Sequence, residues 1–227
     1  MCLKVLVFCC FCFTFCFAQK KQIVFQDDFD KNLRQWTLES HSFESNLAIF
    51  NTQNIKIDSG IIILQLKAAK EAEKPYQGAE IRTKKFFRYG KFTAKLKAPD
   101  GSGIVSAFFL YNPHRKENKE IDFEFLGKDN KIATLNHWVN AKSNGVDVSL
   151  DKSFSNQYHD YTIEWRKNFI AWSVNGKEIY RTTKAIPKVP LQIVFNIWIS
   201  KYDSWAGKVN EDALPAALHI AEITCYR

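Results

Sequence analysis

Residues 119–127 read Lys-Glu-Ile-Asp-Phe-Glu-Phe-Leu-Gly, so that acidic and apolar side chains alternate along the centre of the stretch. Successive side chains of a β-strand point to opposite faces of its sheet. A strand here would turn three apolar residues toward a core and three acids toward the other face: Ile121, Phe123 and Phe125 on one side, Glu120, Asp122 and Glu124 on the other. The stretch therefore predicts a β-strand with one buried and one acidic face.

Strand-like patterns also recur along most of the chain on both sides of this stretch. Alternating or continuously apolar segments of strand length stand at 61–66, 92–97, 161–166, 169–174, 177–181 and 191–198. The dipeptide Asn175-Gly176 separates two of them and is typical of a tight type I′ hairpin turn. Long amphipathic helical periods are missing, and one short helical turn is expected at 205–212. Many short strands with frequent turns predict an all-β sandwich of two antiparallel sheets.

The first 18 residues have the pattern of a secretory signal peptide. A short basic start precedes an apolar run at 5–17, and the small residue Ala18 marks a plausible cleavage point. The run of about 13 residues is shorter than the roughly 20 that a spanning helix needs. We expect a signal peptide at 1–18, one domain at 19–227, and export to the extracellular space or the periplasm. A lipid anchor on Cys16 stays open.

The positions of the cysteine, basic and histidine residues disfavour a disulfide framework, a nucleic-acid partner and a metal site. Five of the six cysteines lie in the predicted signal peptide, so the mature chain would keep only Cys225 and form no internal disulfide. The net charge is +8, but the basic residues are scattered, which disfavours a nucleic-acid partner. No histidine pair has metal-ligand spacing, and His137 and His159 are interpreted as ordinary buried or surface residues. We expect no metal among the site residues.

The acidic face of the predicted strand indicates a catalytic site that uses carboxyl groups. Three like charges about 7 Å apart along a strand repel one another, and repulsion with partial burial separates their pKa values. Glycoside hydrolysis uses one ionised and one protonated carboxyl group. Glu120 and Glu124 have Cα atoms about 13 Å apart at strand rise, so their side chains must lean together. The alternative is an acidic solvent-exposed face without function.

Other segments pair polar and aromatic groups at positions i and i+2, which favours a carbohydrate groove. Aromatic rings stack on sugars, while amides and carboxylates bind sugar hydroxyls, although core packing explains any single aromatic equally well. The pairs are Glu80 and Arg82, Phe109 and Tyr111, Asn136 and Trp138, and Asn196 and Trp198.

The acidic stretch resembles the signature of glycoside hydrolase family 16, and is most similar to that of the bacterial lichenases, the endo-β-1,3-1,4-glucanases. The similarity covers nearly the whole mature chain. It includes Gly-Ala-Glu-Ile-Arg-Thr at 78–83, Tyr-Gly-Lys-Phe at 89–92, Gly-Ile-Val-Ser-Ala-Phe-Phe at 103–109, Asn-Ile-Trp at 196–198 and Asp-Ser-Trp-Ala-Gly at 203–207.

This resemblance implies a β-jelly-roll sandwich with a concave glycan-binding face and a retaining double-displacement mechanism. Glu120 would be the nucleophile, Asp122 its assistant and Glu124 the general acid/base. The resemblance also implies a set of substrate-binding residues: Glu80, Arg82, Phe109, Tyr111, Asn136, Trp138, Asn196, Trp198 and Trp205. The expected substrate is a β-glucan, with mixed-linkage β-1,3-1,4-glucan favoured. We expect the mature protein to be a monomer that binds no nucleic acid and does not span a membrane.

Details within the family leave alternatives open. The spacing from Asp122 to Glu124 lacks the extra residue of the laminarinase-like branch, which favours lichenase-like or xyloglucan-active enzymes. Lichenases carry a tryptophan where this chain has Asn118. A xyloglucan endo-hydrolase or transglycosylase, and a non-catalytic glycan-binding sandwich, remain alternatives. No cofactor is expected to be required, and the resemblance allows a structural calcium ion near Gly60 and Glu222.

Overall fold

The structure, a computed structural model, describes residues 22–30, 32–69, 73–114, 119–155 and 157–227. The predicted signal peptide at 1–18 and Asn118 lie outside these residues. The described part contains 17 strands and three short helical segments. The strands are β1 (Ile23–Asp27), β2 (Trp36–Leu38), β3 (Ala48–Phe50), β4 (Ile55–Asp58), β5 (Ile61–Ala68), β6 (Tyr76–Thr83), β7 (Gly90–Lys97), β8 (Ile104–Tyr111), β9 (Glu120–Leu126), β10 (Ile132–Val139), β11 (Lys142–Ser143), β12 (Val146–Ser149), β13 (His159–Trp165), β14 (Ile170–Val174), β15 (Lys177–Thr182), β16 (Gln192–Ile199) and β17 (Ala216–Tyr226).

The strands form two layers of one curled, mostly antiparallel sheet. One layer, the groove sheet, has the order β2-β6-β16-β8-β9-β10-β12, and β11 pairs with the end of β10 on the same edge as β12. The other layer, the back sheet, has the order β4-β5-β17-β7-β13-β14-β15, and β1 pairs with the far half of β17. Pairing of β5 with β6 joins the layers at one edge, and β3 adds a parallel pair to β6. The predicted all-β sandwich is confirmed.

The core lies between the layers and is rich in aromatic side chains. The apolar face of β9 points into it, since Ile121, Phe123 and Phe125 are at most 1% exposed. Phe123 packs edge-on against Tyr161 of the back sheet, with ring centroids 5.0 Å apart. Trp172, also from the back sheet, donates its indole N–H to the backbone carbonyl of Asp122 at 2.9 Å. The back sheet thereby fixes the position of β9 from beneath.

Local predictions from sequence hold with small corrections. Asn175 and Gly176 both have positive φ (50° and 80°) and connect β14 to β15, as the predicted type I′ turn requires. The helical turn expected at 205–212 is split into a short helix, α1 (Asp203–Ala206), and a 3-10 turn at Glu211–Ala213. Segment 61–66 is buried only at alternate residues, because its other face is partly exposed on the back sheet.

No helix in the ranges that the structure describes is long and apolar enough to cross a membrane.

Candidate active site

The acids of β9 lie in the middle of the groove sheet, and the registers of its neighbours arrange the site in rows. Glu120 lies between Tyr111 of β8 and Trp138 of β10. Asp122 lies between Phe109 and Asn136, and Glu124 lies between Ala107 and Thr134. The register of β9 is continuous on both sides, without a bulge, so the three acids keep the regular two-residue spacing that the sequence predicts.

All twelve residues predicted for the site line one groove of about 660 Å³. Its floor is formed by the three acids and by side chains from five strands of the groove sheet. The predicted residues that it brings together are Glu80, Arg82, Phe109, Tyr111, Glu120, Asp122, Glu124, Asn136, Trp138, Asn196, Trp198 and Trp205. All three acids face this groove and not the hydrophobic interior.

The acids hold their protons unusually well. Burial, followed by repulsion from Glu80, raises the pKa of Glu120 to about 7, while a hydrogen bond from Asp122 opposes the rise. Burial, followed by repulsion from Glu120 and Glu124, raises the pKa of Asp122 well above its usual range. Burial, followed by repulsion from Glu120 and then Asp147, raises the pKa of Glu124 to about 8. Near neutral pH the cluster therefore contains both protonated and ionised carboxyl groups.

A charged network forms the wall of the groove on β6 and β16. Glu80 is 5% exposed, accepts a hydrogen bond from Asn196 at 3.1 Å and pairs with Arg82 at 3.0 Å. Burial raises the pKa of Glu80 to about 7, although Asn196 and Arg82 both oppose the rise. Arg82 also contacts Glu39 at 2.7 Å. Arg82 is thus compensated by two carboxylates and does not make the groove basic.

One end of the groove is an aromatic platform, made of Phe43, Trp198, Tyr202 and Trp205. The rings of Trp198 and Trp205 lie 5.9 Å apart, and Phe43 packs edge-on against Trp198 at 4.9 Å. Phe43 is 38% exposed and Tyr202 is 49% exposed, although both are large. An open set of rings suits the apolar faces of sugars.

Sequence reasoning missed several groove residues. Phe43, Tyr202, His41 and Ser45 come from segments outside the regular strands, where no period of two could assign a face. Thr134 and Ser143 also line the groove. Only the exposed aromatic in a turn-rich segment, as at Phe43, was a signal that could have been read.

Comparison with known proteins agrees with this geometry. The model of the Glycosyl hydrolases family 16 matches residues 39–213, which include every residue predicted for the site. The chain belongs to this family. The family 16 assignment also accounts for the order of the segments from Gly78 to Gly207 on which the resemblance rests.

Relatives in family 16 include several named β-glucanases. The chain is 36% identical over 173 residues to a "Beta-glucanase" of Acetivibrio thermocellus, which covers 72% of this chain and 52% of that protein. It is 34% identical over 192 residues to "Endo-1,3-1,4-beta-glycanase ExoK" of Rhizobium meliloti, which covers 81% of this chain and 71% of that protein. The chain thus spans about half the length of the Acetivibrio thermocellus relative.

A solved family 16 structure confirms the fold class. A prokaryotic β-1,3-1,4-glucanase (lichenase) from a mouse hindgut metagenome superposes with a TM-score of 0.84 at 32% identity. The match covers 88% of this chain and 97% of that one. The expected jelly-roll sandwich is therefore shown.

His137 and His159 do not contribute to the groove. His137 and His159 are 2% and 3% exposed, as expected of buried residues. Each ring contacts a backbone carbonyl at 3.1 Å, of Lys184 and Ser153 respectively. His159 also hydrogen-bonds to Asn175 through Nδ1 at 2.9 Å.

Calcium binding at Gly60 remains a prediction. A Cβ atom at Gly60 would collide with Asp30 Oδ1 and would lie 3.5 Å from the carbonyl oxygen of Asp28, so oxygen atoms do approach this position. Glu222 Oε1, however, accepts hydrogen bonds from Thr224 at 2.7 Å and Gln26 at 3.2 Å. In the described ranges no three acidic, histidine or cysteine residues are grouped as metal ligands. Thermal unfolding with calcium and with a chelator tests the prediction.

Proposed function

We propose that this protein is a secreted, retaining endo-β-glucanase that cuts mixed-linkage β-1,3-1,4-glucan by double displacement. The observation that carries the proposal is the row of three carboxyl groups with raised pKa values on the floor of a groove of about 660 Å³. The family and its named β-glucanase relatives support the substrate class.

In the first step Glu120 attacks the anomeric carbon and forms a glycosyl ester, while Glu124 gives its proton to the leaving oxygen. Asp122 donates a hydrogen bond to Glu120, which favours the ionised nucleophile at a buried site. The high pKa of Glu124 keeps its proton available near neutral pH.

The second step follows from the same electrostatics. Once Glu120 is esterified its negative charge is gone, and with it the main repulsion that raises the pKa of Glu124. Glu124 has already given its proton to the leaving oxygen, so with its pKa lowered it stays ionised and acts as the base that takes a proton from the attacking water, which displaces the sugar and frees Glu120. Loss of the repulsion from Glu120 thus favours the change of Glu124 from acid to base between the two steps.

The groove suits an uncharged polysaccharide. Carboxylates outnumber cations along it, and Arg82 is paired with Glu80 and Glu39. An acidic glycan would meet net repulsion there. The aromatic platform offers stacking for glucosyl rings at one end, which favours binding of a long chain across the cleavage point rather than a chain terminus alone.

The decisive experiment is incubation of the mature protein with mixed-linkage glucan, laminarin, xyloglucan and agar, followed by linkage analysis of the products. We expect oligosaccharides from mixed-linkage glucan, with the β-anomer formed first when the reaction is followed by proton NMR. Glu120→Ala should lower kcat by about 10⁴-fold or more. Asp151→Asn is the matched control, since Asp151 is exposed and pairs with Lys177 away from the groove. Turnover like wild type in Glu120→Ala would exclude the assigned nucleophile.

A xyloglucan endo-hydrolase or transglycosylase is the second candidate, and the unbroken register of β9 is the observation that favours it. Xyloglucan with a labelled acceptor oligosaccharide separates the two activities, because only transglycosylation incorporates the label. Retardation in a glucan-containing gel without any product would instead indicate a non-catalytic binding sandwich.

A further inference from the structure

A row of cross-strand partners extends from Glu124 to the edge of the groove sheet. Glu124 of β9 is paired across strands with Thr134 of β10, and Thr134 is paired with Asp147 of β12. Directly opposed residues of neighbouring strands share a face and have Cβ atoms about 5 Å apart. Thr134 is 8% exposed and lies between the two carboxyl groups.

The hydroxyl of Thr134 is oriented by this row. Its Oγ1 donates to Asp147 Oδ1 at 2.6 Å. A hydroxyl group carries one proton and two lone pairs, so Thr134 has only lone pairs left for its other neighbour. A protonated Glu124 can donate a hydrogen bond to the Thr134 hydroxyl oxygen. An ionised Glu124 cannot, because both oxygens would then present only lone pairs, which repel.

We propose that Asp147, acting through the Thr134 hydroxyl, is a positioning residue that holds the proton on Glu124. The inference rests on the proposed role of Glu124 as the general acid. Two effects act in the same direction: the oriented hydroxyl accepts from the acid form, and the negative charge of Asp147 disfavours the ionised form. Repulsion by Asp147 indeed contributes to the raised pKa of Glu124.

Other charges around Glu124 do not replace this effect. Glu120 and Asp122 lie on the same strand, and Glu80 and Arg82 lie beyond β8 and β16 and compensate each other. In the turn after β9, Lys128 Nζ donates to the carbonyl of Trp205, and Asp129 Oδ1 accepts from the backbone of Lys131. Asp147 is thus the acid that reaches Glu124 through an oriented hydroxyl.

The test measures how readily Glu124 loses its proton. In Asp147→Asn the new amide can donate to Thr134, which frees the hydroxyl proton to turn toward Glu124 and favours its ionised form. Thr134→Val removes the hydroxyl, Thr134→Ser restores it, and Asp151→Asn removes an exposed carboxylate elsewhere. At a separation of about two strand spacings, roughly 10 Å, loss of the charge alone should lower the pKa of Glu124 by about 0.3 of a pH unit at the dielectric constant of water and by about 1.2 units at an effective dielectric constant of about 20.

Two readouts are combined. The basic limb of kcat/KM against pH on mixed-linkage glucan should move to lower pH in Asp147→Asn and Thr134→Val, but not in Thr134→Ser or Asp151→Asn. In the free protein, ¹³C NMR of the glutamate carboxyl carbons, with Glu124 assigned by Glu124→Gln, should show the same shift without any substrate.

The NMR titration separates two failures. If the wild type cuts no glucan but Glu124 titrates lower in Asp147→Asn and Thr134→Val, the proposed function fails and the positioning role stands. If Glu124 titrates as in wild type in both variants, the positioning role is overturned whatever the activity.

Discussion

Replacing Glu124 by Gln should stabilise the folded protein at alkaline pH and leave its stability at pH 4 almost unchanged. Gln is isosteric with the protonated acid, so at pH 4 the two proteins are nearly equivalent. Because the pKa of Glu124 is raised in the folded state, the unfolded chain releases this proton first. In the wild type, the contribution of protonated Glu124 to the free energy of unfolding is therefore fully present below the unfolded pKa of 4.5. This contribution is lost as the pH rises toward the folded pKa of about 8.

The magnitude follows from the pKa values. A rise from 4.5 to about 8 corresponds to roughly 4 to 5 kcal/mol of lost stability when the group is ionised in both states. Glu120 and Asp122 titrate together with Glu124 and share the repulsion, so about half of this, near 2 kcal/mol, is the expected gain in Glu124→Gln at pH 9.

Urea denaturation at pH 4 and pH 9, followed by tryptophan fluorescence, measures this gain. Glu178→Gln is the control, because Glu178 is exposed and its hydrogen bond to Arg181 lowers its pKa, so its replacement should not stabilise at pH 9. Equal stability of wild type and Glu124→Gln at pH 9 would refute the argument that Glu124 is ionised at a cost to the fold.

Three further outcomes are expected. Activity should rise as Glu120 ionises near pH 7 and fall as Glu124 loses its proton near pH 8, and a profile of kcat/KM that stays flat between pH 6 and 9 would contradict this. Phe43→Ala should raise KM on glucan several-fold with little change in kcat, because stacking acts on ground and transition state alike, whereas Ile57→Ala on the back sheet should change neither constant. Trp172→Phe should cost about 2 to 4 kcal/mol in denaturation experiments, since it removes buried ring volume and the hydrogen bond to the carbonyl of Asp122; a loss below 0.5 kcal/mol would argue against that anchor.

The sequence predicted the parts of the molecule that repeat every two residues. Alternation from 119 to 127 assigned both faces of β9 correctly, and the Asn175-Gly176 dipeptide placed a hairpin because few residue pairs tolerate positive φ at both positions. The family resemblance then identified groove residues at fixed places on five regular strands, together with Trp205 in α1.

The other features of the site depend on tertiary contacts between distant parts of the chain, which no local sequence pattern reveals. Phe43 and Tyr202 are about 160 positions apart in the chain and meet the same groove because separate loops approach Trp198. Asp147 approaches Glu124 only through the register of β12 on β10 and of β10 on β9. The raised pKa values likewise depend on burial that an isolated strand cannot reveal.

The hydrogen-bonded ladders on both sides of β9 position the catalytic acids, whereas most of the binding rings lie outside those ladders. Spacing between the reacting groups is set by backbone geometry that side-chain exchange hardly alters, while three of the four platform rings, Phe43, Tyr202 and Trp205, come from segments outside the strands. Exchange of those rim segments should therefore redirect the enzyme to another polysaccharide while its bond-breaking chemistry persists, which makes the scaffold a suitable starting point for engineering new glycan preferences.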